Sequence, residues 1–289
     1  MDVLAERQKV QEGGLQALIE EKVLQVIGNE PMIRVAIDEA QKCPELFDQI
    51  KVLYDLYKDK SKIKFVLTGS GFLYLHQLSA ETLARRIELF HLREFGLREI
   101  MLLDNPAVAL PKTSLFDLIA QNAEPNVIQD TIRQLQPFKP LLEESIKKQI
   151  IWGGFPEVLI LSEVNDRLQY LGGYIQTYLE KDVRGIDTIA DLPLYQQLMQ
   201  ILAEQTGSVR DEQKIVDALH CARNTLKKYR GYLIATLLLR ELFPFIKSTI
   251  KRIVKSPKGY LQNNGLISYL TGIHDLSILE KNRSCRTSC

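Results

Sequence analysis

Cysteine is scarce and scattered. The 289 residues hold four, at positions 43, 221, 285 and 289, and no two form a Cys-x-x-Cys pair. That spacing excludes a disulfide framework and the common zinc sites, and Cys285 with Cys289, in a polar tail, matches neither. The four read as reduced thiols, which places the protein in the cytoplasm. No apolar run is long enough to span a bilayer, so no membrane partner is expected. The opening residues, MDVLAERQKV, do not read as a signal peptide. Internal repeats and low-complexity runs are absent as well. The composition, 45% hydrophobic and 25% charged, is that of a globular chain and excludes a disordered one.

Charge of one sign is lacking overall, with a formal net charge of +1. It is not lacking locally. Between Arg210 and Lys258 stand twelve Lys/Arg against four Asp/Glu, a local +8 that leaves −7 for the remainder. A basic C-terminal module follows a more acidic N-terminal part.

The periodicity points to an α/β fold. Residues 14–28 place Leu15, Leu18, Ile19, Val23, Leu24 and Ile27 on one helical face. MIRVAIDEAQ follows with a nearly continuous apolar run, the pattern of a parallel strand buried on both faces. After Pro44 a helix is predicted with Leu46, Phe47, Ile50, Leu53 and Leu56 inward, and KIKFVLTGSG gives a second buried strand. Strand, helix, strand is a βαβ unit. A short strand or turn and a helix are predicted over 87–103, and an insertion or linker over 105–140, where prolines recur. Helix is predicted from 141 to 204, broken at Gly153-Gly154 and Pro156, then two helices and a short ribbon over 210–245. The expected division is a partial parallel-sheet core at 1–104, a linker and helical region at 105–177, and a C-terminal domain at 178–289 with a winged-helix-like part near 205–245.

Asp38 and Glu39 end the first strand, and ligands of parallel sheets bind at the carboxyl ends of strands. Apolar residues followed by Asp-Glu form the Walker B pattern. Asp38 there can hold Mg²⁺, and Glu39 can orient the attacking water. A strand that simply ends in two solvated acids gives the same pattern. Thr68 and Ser70 follow the second strand, where a hydroxyl can bond a γ-phosphate or the water, the sensor 1 role; a plain Gly turn reads the same way. Arg85 and Arg86 offer a guanidinium for developing phosphate charge, or are surface arginines.

The ordered segments AIDEAQKCPELFDQIK, KFVLTGSGFLYL, TLARRIELFHLREFGLREI and WGGFPEVL resemble a bacterial and archaeal group of AAA-type ATPases. Its members carry a C-terminal domain of unknown function. YLEKDVRGI, NTLKKYRGYLIATLLLRELFPF and KSPKGYLQNNGLISYLTGI resemble that domain, so the likeness runs roughly from Ile33 to Ile273. It implies ATP and Mg²⁺ as ligands, an arginine reaching between subunits of a homo-oligomer, and a winged-helix module. Arg86 is the better match to the finger, since the family has Gly-Arg where this chain has Arg85-Arg86. The family's Asp-Thr-Gly-Leu stands here as Asn263-Asn264-Gly265-Leu266.

One departure bears on chemistry. The family's P-loop precedes its Walker B strand, but no G-x-x-x-x-G-K-[ST] occurs anywhere in this sequence, and Gly13-Gly14 has no following lysine. The backbone N–H groups and lysine of that loop supply most of the phosphate binding. ATP hydrolysis near zero is therefore expected, along with weak or no ATP binding. The polar SCRTSC at the end, where the family continues with more sheet, adds to the expectation of a truncated reading frame with an unstable N-terminal half.

In the basic module, Lys214 to His220 are predicted to form a helix, and Asn224 to cap a second one. Leu226 and Tyr229 point to the core of that second helix, while Arg223, Lys227, Lys228 and Arg230 face outward, an arrangement suited to DNA. A solvated helix packed on a core has the same pattern. The readings carried forward are an AAA-type ATPase or its remnant, an ATP-independent DNA-binding module, and a fragment without function.

Overall fold

The computed structural model describes residues 4–23, 33–57, 63–69, 81–109, 118, 120–179, 191–209, 211–246 and 255–278. The expectations for Leu24, Ile27, Ser70 and the two C-terminal cysteines lie outside them. The chain divides into two compact units, Met1–His91 and Leu92–Cys289. No helix among the described residues is long and apolar enough to cross a membrane.

The first unit holds helix α1 (Leu4–Val23), strand β1 (Ile33–Ile37), a 3-10 turn at Ala40–Lys42, helix α2 (Glu45–Tyr57) and strand β2 (Ile63–Leu67). The strands pair in parallel, Ile33 with Ile63 through Ile37 with Leu67, as the βαβ reading requires. α1 breaks at Gly14, whose φ of 79° and ψ of 158° lie where a side chain is disfavoured. The break exposes backbone groups, and Gln49 of α2 satisfies them. Its Nε2 donates to the Val10 carbonyl at 3.4 Å, and its Oε1 accepts from the Leu15 N–H. Val10, Leu15 and Ile19 of α1 bury against Leu46, Phe47, Ile50 and Leu53 of α2 and Ile37 of β1. Burying each such side chain contributes roughly 1.5–3 kcal/mol.

Two expectations fail here. Leu56 is 58% exposed, since the buried face of α2 ends at Leu53. The strands are not covered on both faces. Val35, Phe65 and Leu67 pack on the helices, whereas Ala36 and Val66 alternate to the other side and are exposed.

The second unit opens with α3 (Leu97–Asp104), α4 (Pro125–Leu135) and a 3-10 turn at Gln136–Phe138. Then come α5 (Lys139–Trp152), α6 (Pro156–Ile160), α7 (Val164–Tyr178) and α8 (Leu192–Glu204). After these stand α9 (Glu212–Leu219), α10 (Arg223–Ala235), β3 (Leu239–Leu242), β4 (Lys258–Leu261) and α11 (Asn264–Thr271). Part of the expected linker over 105–140 is thus helix. α4 buries no residue, which hides it from a search for apolar faces, although Pro125 at its first turn marks a helix start. α3 joins the second unit and packs on α5.

Three stretches of backbone meet where α5 ends. Gly153 takes φ 70° and ψ −153°, and a Cβ there would stand 2.5 Å from the Asn263 Oδ1. A Cβ on Gly154 would stand 2.4 Å from the Phe95 carbonyl oxygen, and one on Gly265 would stand 2.3 Å from that of Trp152. Glu94 closes the junction by accepting from the Gly154 N–H at 3.2 Å and from the Asn263 amide. Burial pushes its carboxyl above the usual range, against these two hydrogen bonds. Asn263 also caps α11, its Oδ1 accepting from the Leu266 N–H at 2.9 Å. Phe155, extended ahead of Pro156, then starts α6.

Trp152, the sole tryptophan, is buried with the Arg167 guanidinium 4.9 Å from its ring centre and His274 stacked alongside. Deeper in the unit, Tyr178, Tyr195 and Thr236 join their hydroxyls at 2.9 Å each, which ties α7, α8 and the end of α10 together.

The contrast between two glycines checks this packing. Gly154→Ala is expected to cost about 1–3 kcal/mol through overpacking. Gly173→Ala, in α7 with nothing within 4 Å of its Cβ, is expected to stabilise by about 0.5–1 kcal/mol. Urea denaturation followed by circular dichroism reads both; equal effects at the two positions would contradict the close approach at Gly154.

Candidate functional site

The parallel register that ends at Ile37 and Leu67 delivers the next residues, Asp38 and Thr68, side by side at the carboxyl ends of β1 and β2. The ladder continues past the strands. The Thr68 N–H donates to the Ile37 carbonyl and the Ala40 N–H to the Thr68 carbonyl, both at 2.9 Å. Across this ladder the Thr68 hydroxyl donates to the Asp38 Oδ1. Asp38 is exposed, and one of its carboxylate oxygens is oriented from the neighbouring strand.

Glu39 turns the chain. Its φ of 53° and ψ of 43° are left-handed, a conformation that costs a non-glycine residue about 1–2 kcal/mol. Such strain concentrates at functional sites. The turn leads into the 3-10 segment, and the Glu39 carboxylate folds back over it. It accepts from the Gln41 Nε2 at 2.9 Å and pairs with the Lys42 Nζ at 3.5 Å. Gln41 contributes a feature the sequence did not signal: its Oε1 is buried with no hydrogen-bond partner among the described residues.

Arg86 sits apart from this pair. Its Nε and one terminal nitrogen reach the two Asp55 carboxylate oxygens on α2, each at 3.0 Å. That bidentate bond is the main reason its affinity for its proton rises. Arg85 beside it is exposed and takes a left-handed φ of 66°. The structure therefore brings Asp38 and Thr68 together, ties Glu39 to its own turn, and holds Arg86 on α2.

The donor set suits Mg²⁺. Carboxylate, hydroxyl and amide oxygens are the hard ligands that it takes, and it is held by one or two carboxylates with waters and phosphates rather than by a protein cage.

The basic helix pair forms a second candidate. Asp211 caps α9, accepting from the N–H groups of Gln213 and Lys214 at 3.2 and 3.3 Å. α9 ends at His220, left-handed at φ 48°, and α10 starts after Ala222, so Asn224 lies inside the helix and does not cap it. Ile215, Leu226 and Tyr229 are buried, and Arg223, Lys227 and Lys228 are exposed. Arg230 does not face outward as expected. Its side chain, 19% exposed, pairs with Glu212 of α9 and with Glu241 of β3 at 3.1 Å. β3 and β4 pair antiparallel, and Val209 forms an isolated bridge to Lys258, supported by the Gly207 N–H to the Gly259 carbonyl at 2.8 Å.

Two segments of the chain match known families. Residues 3–101 match a family described as an AAA domain, and residues 143–277 match a domain of unknown function. Two uncharacterized proteins, one from Mycobacterium bovis and one from Mycobacterium tuberculosis, are each 26% identical over 250 residues. The match covers 86% of this chain, which spans 46% of the length of those relatives. A Walker-type ATPase of Pyrococcus abyssi superposes with a TM-score of 0.42 at 15% identity, covering 83% of this chain and 63% of that one. The two family matches thus make the N-terminal segment similar to an AAA domain and the C-terminal segment similar to a domain of unknown function.

Proposed function

We propose that the tips of β1 and β2 are the metal- and water-facing side of a nucleoside triphosphate site of the AAA-type ATPase kind. The observation that carries this reading is the Thr68 hydroxyl bonded to the Asp38 carboxylate across two parallel strands. In the proposed arrangement Asp38 serves the Walker B role and holds Mg²⁺, directly or through water. Mg²⁺ would neutralise charge on the phosphates. Thr68 fixes the carboxylate and, with Ser70, senses the terminal phosphate or the attacking water. Glu39 acts on that water once its carboxylate leaves Gln41 and Lys42. Arg86 serves phosphate charge once it leaves Asp55, an exchange between two exposed ion pairs of small cost.

The sequence contains no phosphate-binding loop of the Gly-Lys-Thr/Ser kind, so most of the phosphate affinity is missing from these 289 residues. The purified chain with Mg²⁺ and ATP is therefore expected to release phosphate at the background rate. Steady Mg²⁺-dependent turnover that Glu39→Gln abolishes would show a complete site and overturn the incomplete one proposed.

A second reading, DNA contact by the C-terminal domain, rests on a separate observation. The order α8, Val209 bridge, α9, α10, β3, β4 supports a winged-helix reading in which α10 would serve as the recognition helix. In the intact family, nucleotide binding would be coupled to movement of this module. Arg223, Lys227 and Lys228 supply the phosphate-facing charges, and Arg230 holds α10 to α9 and β3. Replacing Arg223, Lys227 and Lys228 with alanine is expected to weaken duplex DNA binding and to reduce the slope of log affinity against log salt by about 2–3. An unchanged slope in a fluorescence anisotropy titration would remove this reading.

A further inference from the structure

The two-stranded ribbon β3–β4 has two unlike faces. Leu239, Gly259 and Leu261 are buried on the inner one, where Glu241 pairs with Arg230. The outer face carries the alternate residues in two cross-strand pairs, Arg240 opposite Tyr260 and Leu242 opposite Lys258. Each pair sets a cation beside an apolar side chain. Arg240 and Lys258 are exposed, Leu242 is 57% exposed, and a shallow depression of about 410 Å³ opens between Arg240, Leu242, Tyr260, Leu261 and Gln262. The Tyr260 ring lies close over Gly207, where a Cβ would stand 3.4 Å from the ring, so it is held in place from one side.

Two more large apolar residues follow directly in the chain. Phe243 is 46% exposed and Phe245 is 100% exposed. Exposed aromatic groups of this size mark a contact surface. The charge around them selects its kind. Arg240 and Lys258 are the cations of the outer face, and Glu241, the one acid of the two strands, is on the inner face. Cations beside aromatic rings are the pattern that tracks a phosphodiester backbone while bases stack. Stacking requires bases that are not paired in a duplex.

We propose that the outer face of the β3–β4 ribbon, together with the exposed Phe245 that follows β3 in the chain, binds single-stranded nucleic acid, with Tyr260 and Phe245 stacking on bases and Arg240 and Lys258 on the phosphates. This surface is distinct from the exposed face of α10 and does not depend on the duplex reading. The inference rests on the charge and on the aromatic groups together; an acidic peptide would use the first and leave Phe245 without a matching role.

The test is anisotropy of a fluorescein-labelled oligothymidylate of about 16 nucleotides, and of a duplex of the same length, titrated with the full chain. With Arg223 and Lys227 replaced by alanine, the single strand is expected to bind more tightly than the duplex. Tyr260→Leu and Phe245→Ala are each expected to weaken it about tenfold, and Arg240→Gln to lower the salt slope by about 0.7. Alanine at Arg223 and Lys227 should leave single-strand binding unchanged. Phe245 is fully exposed, so its variant keeps the fold and the outcome stays readable if Tyr260→Leu does not fold. Three results would each overturn the proposal: tighter or equal binding of the duplex by the variant with alanine at Arg223 and Lys227, unchanged affinity in Phe245→Ala, or loss of single-strand binding only in the α10 variant. Binding of polyglutamate in place of the oligonucleotide would do the same.

Discussion

The parallel pairing of β1 with β2 is the constraint on which the proposed nucleotide-facing site depends. Ile37 opposite Leu67 fixes Asp38 opposite Thr68, and two backbone hydrogen bonds beyond the strand ends carry the register through the turn. Side chains alternate along a strand, so a slip of one residue would move Phe65 and Leu67 from the packed face to the exposed one and carry Thr68 away from Asp38. The helices enforce the register by packing on one face only. Gln49, which bridges the break in α1 from α2, belongs to that enforcement, because it fixes α1 where Leu15 and Ile19 cover the core. Site geometry and core packing in the first unit are one problem, solved by the same few residues.

The second unit is organised by close approach. At Gly153, Gly154 and Gly265 backbone meets backbone at distances that no Cβ permits, and Glu94 and Asn263 supply the hydrogen bonds that make the crossing complete. Asn263 stands where the resembled family has Asp. An amide can donate to the Glu94 carboxylate, which a second carboxylate cannot do without a proton. The helix pair and ribbon are clamped in a similar way, with Arg230 between Glu212 and Glu241. A guanidinium with five donors suits a position that joins three elements.

Much of this was legible in the sequence, for identifiable reasons. The apolar runs before Asp38 and Thr68, the helical face of α2 through Leu53, and the turn at Gly153-Gly154 each leave a period or a residue type that local physics dictates. The misses share another cause. α4 has no buried residue and so no apolar stripe to find. Leu56 fits the helical period but lies past the end of the contact with α1. Arg230 looked like one more outward cation on α10, and only the tertiary fold brings Glu241, eleven positions on, to meet it. The buried Gln41 Oε1 and the bond of Arg86 to Asp55 also depend on three-dimensional neighbours that spacing does not reveal.

The central claim is that Asp38, oriented by Thr68, is the metal-facing group of a nucleotide site. Water-proton relaxation with Mn²⁺ alone as a stand-in for Mg²⁺ tests it most directly, recorded on the whole chain without ATP, whose phosphate-binding loop the sequence lacks. The account predicts an enhancement in the wild type that Asp38→Asn removes and Thr68→Val reduces, while Asp48→Asn, an exposed acid on α2, leaves it intact. The same enhancement in the wild type and in Asp38→Asn would contradict the assignment.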